Sequence, residues 1–140
     1  MSATESAAGS QGQNTVAVPA DAEPEVTLAV AAIEDLKGRD LRLLDVRSLT
    51  PLTDFMLIVT GTSNRHVKSL ADSVVMAAKQ AGTPPLGVEG LDQAEWVLVD
   101  LGGVVVHIMQ MQTRAFYQLE KLWLGEPGDP EALAGDNTPG

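Results

Sequence analysis

Residues 96–109 read WVLVDLGGVVVHIM, two runs rich in β-branched and aliphatic residues on either side of a glycine pair. β-branched side chains favour extended backbone, and Gly-Gly can adopt the positive φ values of a tight two-residue turn, so the stretch is a β-hairpin. A two-residue turn fixes the register: Leu101 faces Val104, Val99 faces Val106 and Val97 faces Ile108. That face is wholly aliphatic. The opposite face carries Trp96, Leu98 and Asp100 on one strand, with Met109, His107 and Val105 across from them. A sheet with one aliphatic face needs a second layer to bury it, and the rest of the chain has to supply that layer.

The periodicities upstream do so. Val26, Val30, Ile33 and Leu36 keep helical spacing that Gly38 can close, and LRLLDV (41–46) reads as a strand. After the turn-like SLTPLTD (48–54) comes the strand FMLIVT (55–60). Ser63 can cap the next helix, whose stripe is Val67, Leu70, Ala71, Val74, Val75 and Ala78. Gly82, Pro84 and Pro85 stop it. LGV (86–88) is a short strand before the hairpin, and TRAFYQLEKLWL (113–124) is a closing helix. That helix can bury Phe116, Leu119, Leu122 and Trp123, turning Arg114, Tyr117, Glu120 and Lys121 to another side. The expected fold is a single α/β domain over residues 26–124, with a mixed sheet of about five strands. No internal repeat interrupts it.

Charge sets the ends apart. Of the 19 acids, Glu5, Asp21, Glu23 and Glu25 precede this domain and Glu126, Asp129, Glu131 and Asp136 follow it, while all nine bases lie inside, so the net charge of -10 falls mostly on the ends. Both ends are rich in small and polar residues, and 1–25 and 125–140 read as disordered acidic tails. A nearly neutral core without a basic stripe speaks against direct nucleic-acid readout. The absence of cysteine excludes a disulfide framework and a thiolate metal site. The first base is Lys37 and there is no long apolar run, so neither a secretory signal nor a membrane span is expected, and the protein reads as soluble and cytoplasmic.

Two places could carry function. The first is IVTGTSNRH (58–66), a strand, a small polar turn and a helix start. A serine elbow needs glycine two residues after the serine, where this chain has Arg65, and His66 is expected to point away from the loop tip. The turn could cradle a phosphate, but Walker spacing and its lysine are missing. Paired metal-binding carboxylates on a core strand are also missing, the D-x-E matches Asp21-Ala22-Glu23 and Asp129-Pro130-Glu131 both lying in the acidic ends. The competing function is a nucleotide-handling enzyme with Gly61 to Arg65 as phosphate loop and Asp45 or Asp54 as metal ligand. The ordinary reading makes Ser63 a helix cap, and no catalytic residue, cofactor or metal is assigned. The second place is the mixed hairpin face, whose indole, methionine, imidazole and carboxylate suit a protein contact. If the terminal helix or another helix covers it, Trp96 is core and His107 a satisfied buried histidine; periodicity leaves both open.

GTSNRHVKSLAD, PLGVEG (85–90), EWVLVDLGGVVVHIM (95–109) and TRAFYQLEKLWL, in that order, resemble the ribosomal silencing factor family, also called RsfS or Iojap, over residues 26–124. The resemblance implies a nucleotidyltransferase-like topology without transferase activity, hence not an enzyme. It also implies binding to the large ribosomal subunit through its ribosomal protein number fourteen, which sterically blocks joining of the small subunit and represses translation. The family pattern matches at Trp96, Asp100, His107, Arg114, Tyr117, Leu119, Glu120, Leu122 and Trp123, and departs at Gly103, where an acidic residue is frequent. Partner-binding candidates are Trp96, Leu98, Asp100, His107, Met109, Tyr117 and Glu120. A homodimer of the free protein stays open.

Overall fold

The structure is a computed structural model that describes residues 16–118. Helix α1 spans Pro24–Asp35, with proline in its first turn where the missing N–H has no helical partner to lose, and buries Val26, Ala29, Val30, Ala32 and Ile33. Strand β1 is Arg39–Asp45 and β2 is Phe55–Gly61, the latter buried along its whole length. Helix α2, Asn64–Gln80, buries Val67, Leu70, Ala71, Val74 and Ala78. Strands β3 (Gly87–Glu89), β4 (Trp96–Asp100) and β5 (Val104–Gln110) follow, and helix α3, Met111–Tyr117, leaves directly from the end of β5.

These strands form one five-stranded mixed sheet in the order β1-β2-β5-β4-β3. Only β2 and β5 are parallel, Phe55 beside Val104 through Gly61 beside Gln110; the other neighbours are antiparallel. The hairpin has the register its turn demands, with Val97 opposite Ile108 and Val99 opposite Val106, and Gly102 at φ 92°. Its aliphatic face packs with Phe55, Leu57 and Val59 under α1 and α2 in one large core. The second face carries a smaller cluster of Leu44, Val46, Met56, Ile58 and Met109, with Trp96 packed against it.

Several boundaries differ from the expected ones. Pro24 and Glu25 are helical, Val16, Val18 and Ala22 pack against the core, and Asp21 pairs with Arg47 at 2.8 Å, so residues 16–25 run along the domain where composition suggested a tail. Small and acidic composition hid a few well-placed valines. Gly103 gives room to this segment: a Cβ there would lie 2.8 Å from Glu23 Cδ. Leu36 caps α1 instead of joining its stripe, and Val75 is only partly buried.

The closing helix is corrected most. It starts at Met111, its last described turn ends with Gln118 in the left-handed region at φ 48°, and it buries no residue. Phe116, expected in the buried stripe, is 78% exposed. The reason lies in which face meets the sheet: Arg114 reaches Thr60 and Tyr117 lies against Trp96, an i, i+3 pair that turns Phe116 outward. Leu119, Glu120, Lys121, Leu122 and Trp123, and the ends 1–15 and 125–140, lie outside the described residues. Among the described residues no helix is long and apolar enough to cross a membrane.

Candidate functional site

The turn at 61–66 is occupied by its own structure. Ser63 Oγ accepts the His66 backbone N–H at 3.0 Å, the expected cap. Contrary to expectation, the His66 ring turns back to the loop: Nδ1 accepts the Thr62 N–H at 2.9 Å, which puts the proton on Nε2, and Nε2 donates to Leu36 O at 2.8 Å. Both ring nitrogens are thereby committed, and the imidazole ties the start of α2 to the end of α1. Asn64 donates to Gln93 O and accepts from Gln110 Nε2, holding the turn to the segment before β4. Gly61 is needed for space, since a Cβ would come 2.7 Å from Val67 Cγ2 and 3.1 Å from Val67 N. A nucleophilic serine with a free base is not what these contacts build.

The carboxylates proposed to serve that turn are at the wrong end of the sheet. Asp45 pairs with Phe55 at the start of β2, and Asp54 precedes it, whereas Gly61 is at its end, so the length of the strand, about 20 Å, separates them from the turn. Asp45 is moreover bound to Arg47, whose Nη2 lies 2.6 Å from Oδ2, and this partner holds the carboxyl down at about 2. Among the described residues no group of three or more His, Asp or Glu side chains is placed to hold a metal ion.

The second sheet face is where the other candidates meet. Period-2 alternation lines up Trp96 beside Met109, Leu98 beside His107 and Asp100 beside Val105. Trp96 Nε1 donates to His107 Nδ1 at 3.0 Å, so the imidazole proton is on Nε2. Burial pushes the His107 pKa down to about 4, which keeps the ring neutral and able to accept. On its other side the indole meets the Tyr117 ring, centroids 4.7 Å apart and tilted 48°, and Phe116 stands edge-on to Tyr117 at 4.9 Å. A short aromatic ladder therefore runs from the sheet outward along α3.

The candidates do not share one role. Trp96 and Leu98 are half-buried and Tyr117 is exposed, so they present surface. Met109 has no exposed surface and His107 is 6% exposed, so they act from beneath, as packing and as the acceptor that orients the indole. Asp100 Oδ1 accepts the Gly102 N–H at 2.9 Å and is occupied in closing the hairpin turn. Glu120 lies outside the described residues. Sequence reasoning missed the Arg114 to Thr60 hydrogen bond and the exposed Phe116; alternation along β2 places Thr60 with Met56 and Ile58, but nothing local says that α3 returns to that face.

The family model described as ribosomal silencing factor during starvation matches residues 19–138. A Chromobacterium violaceum protein named ribosomal silencing factor RsfS is 50% identical over 99 residues, covering 71% of this chain and 81% of that protein. A crystal structure of a Chromobacterium violaceum protein superposes with a TM-score of 0.71 at 47% identity, over 75% of this chain and 88% of that one. The mouse protein named mitochondrial assembly of ribosomal large subunit protein 1 is 33% identical over 111 residues, 75% of this chain but 49% of its own length.

Proposed function

The chain belongs to the ribosomal silencing factor family, and on that footing we propose that it binds the large ribosomal subunit through ribosomal protein number fourteen, at the surface the small subunit would occupy, and so represses translation. The observation that carries the reading is the Trp96 indole, half-buried, oriented by His107 below and flanked by Tyr117. A preorganised aromatic with surface to give is what an interface anchor requires. Leu98 and Tyr117 extend the contact, His107 and Met109 support it, and Asp100 shapes its hairpin end. Glu120, which matches the family pattern, is proposed as a further contact. The name of the mouse relative, an assembly protein of the large subunit, points to the same particle.

The mode of action is steric exclusion in the cytoplasm, with no reaction. The structural engagement of Ser63 and His66 and the remote Asp45 and Asp54 take support from the enzymatic alternative, and relatives are named as silencing factors. With no ribosome bound, the same aromatic patch is available to a second copy of the chain. Cosedimentation tests the proposal: the protein should migrate with isolated large subunits, and prebound protein should reduce the joined ribosomes formed when small subunits are added. Migration with joined ribosomes at undiminished yield would overturn the steric mechanism.

A further inference from the structure

β2 and β5 are parallel neighbours, and the chain leaves them toward opposite faces of the sheet. After Gly61 it enters α2, which packs in the large core. After Gln110 it enters α3, whose Arg114 Nη1 donates to Thr60 Oγ1 at 2.9 Å on the second face. Where the chain diverges in this way at the carboxyl ends of adjacent parallel strands, the backbone leaves a crevice, and open α/β sheets bind their ligands there. This molecule has a cavity of about 200 Å³ at that place, lined by Arg39, Asp40, Thr60 to Thr62 and Gln110 to Gln112.

We infer that this crevice, at the end of the sheet where β2 and β5 part, is a binding site for a small phosphate ester of a sugar, of the size of a phosphoribose. The volume is below that of pockets for drug-sized ligands, which limits the occupant to a small molecule. The lining is hydroxyl, amide and charge with one apolar side chain, Met111. Arg39 makes no ion pair among the described residues, and a guanidinium is suited to a phosphate monoester. The Thr60 and Thr62 hydroxyls, which keep hydrogen-bonding capacity beyond their contacts to Arg114 and His66, and the Gln112 amide match sugar hydroxyls, which both donate and accept. The Thr62 and His66 N–H groups are already bonded within the loop, and Arg39 is the guanidinium that lines the cavity, so the phosphate is assigned to Arg39.

Titrating the full chain with ribose 5-phosphate, inorganic phosphate, ribose and adenosine monophosphate, followed by calorimetry and by backbone NMR shifts, tests the site. Ribose 5-phosphate should bind saturably and more tightly than phosphate or ribose alone, with shifts centred on Thr60 to Thr62 and Gln110 to Gln112. Arg39→Gln should weaken it about tenfold and Gln112→Leu by a smaller factor, while Arg42→Gln, further along the same strand and outside the cavity, should leave it unchanged. Equal binding of adenosine monophosphate supports a nucleotide as the source of the phosphoribose, and its exclusion supports a free sugar phosphate. No saturation by ribose 5-phosphate at millimolar concentration, or equal weakening by Arg39→Gln and Arg42→Gln, would overturn the inference.

Discussion

Protonating His107 would break the hydrogen bond it accepts from Trp96, so the fold holds this imidazole neutral, with a pKa of about 4 against an ordinary 6.5. The unfolded chain takes up that proton as pH falls through 6.5 while the folded chain does not until about 4. The stability attached to the neutral ring is complete above the unfolded pKa and is lost progressively on acidification, by roughly 3 kcal/mol once the folded pKa is reached. Gln at this position can accept from the indole but cannot titrate. Denaturant melts between neutral pH and pH 4 should show the parent losing this increment relative to His107→Gln. Because Asp45, held down by Arg47, also sheds stability in acid, the difference between the two proteins is the quantity to read. Parallel losses would mean that the imidazole is not buried neutral.

At the scale of elements, the β2–turn–α2 junction owes its compactness to Gly61 more than to Ser63. Gly61→Ala drives a methyl into Val67 Cγ2 and the Val67 backbone, and should cost about 1–3 kcal/mol. Ser63→Ala removes one cap hydrogen bond and should cost about 1 kcal/mol. Melts of the two variants give that order, and large-subunit docking by the folded fraction should be unchanged in both. The contrast also shows what a sequence can say. The hairpin register and most of the α2 stripe were legible because each depends on neighbours a few residues apart: a two-residue turn fixes one, and the 3.6-residue period fixes the other. The parallel pairing of β2 with β5 joins strands about fifty residues apart and carries no local signature. The stripe through Phe116 misled for the same reason, since periodicity defines faces but not which one turns to the sheet. Trp96 and His107 were placed side by side from alternation alone, yet that one is half-exposed and the other buried depends on what lies over them.

The molecule as a whole is lopsided, with α1 and α2 on one sheet face and α3 the one described helix on the other, so the proposed docking face lies on the side away from the larger core. Residues 16–22 belong to the first side: a chain beginning at Pro24 loses Val16, Val18 and Ala22 from the core and should melt at roughly 1–3 kcal/mol lower stability than one beginning at Val16, the Asp21 to Arg47 pair adding little at the surface. The same division makes a paired test of the docking face. Val106 is fully buried under α1 and α2, so Val106→Ala should cost roughly 2 kcal/mol of folding stability and leave the affinity of the folded protein for large subunits unchanged. Trp96 is half-buried on the other side, where truncation removes the ring between His107 and Tyr117 and the surface offered outward. Trp96→Ala should cost about 1 kcal/mol of stability but at least about 2 kcal/mol of binding, since an anchor contributes more to the interface than to the fold that presents it. Pull-down with ribosomal protein number fourteen beside a denaturant melt of each variant reads both quantities. If Trp96→Ala destabilised the fold more than Val106→Ala while binding as well as the parent, the indole would be serving the core, and the docking surface would have to lie elsewhere.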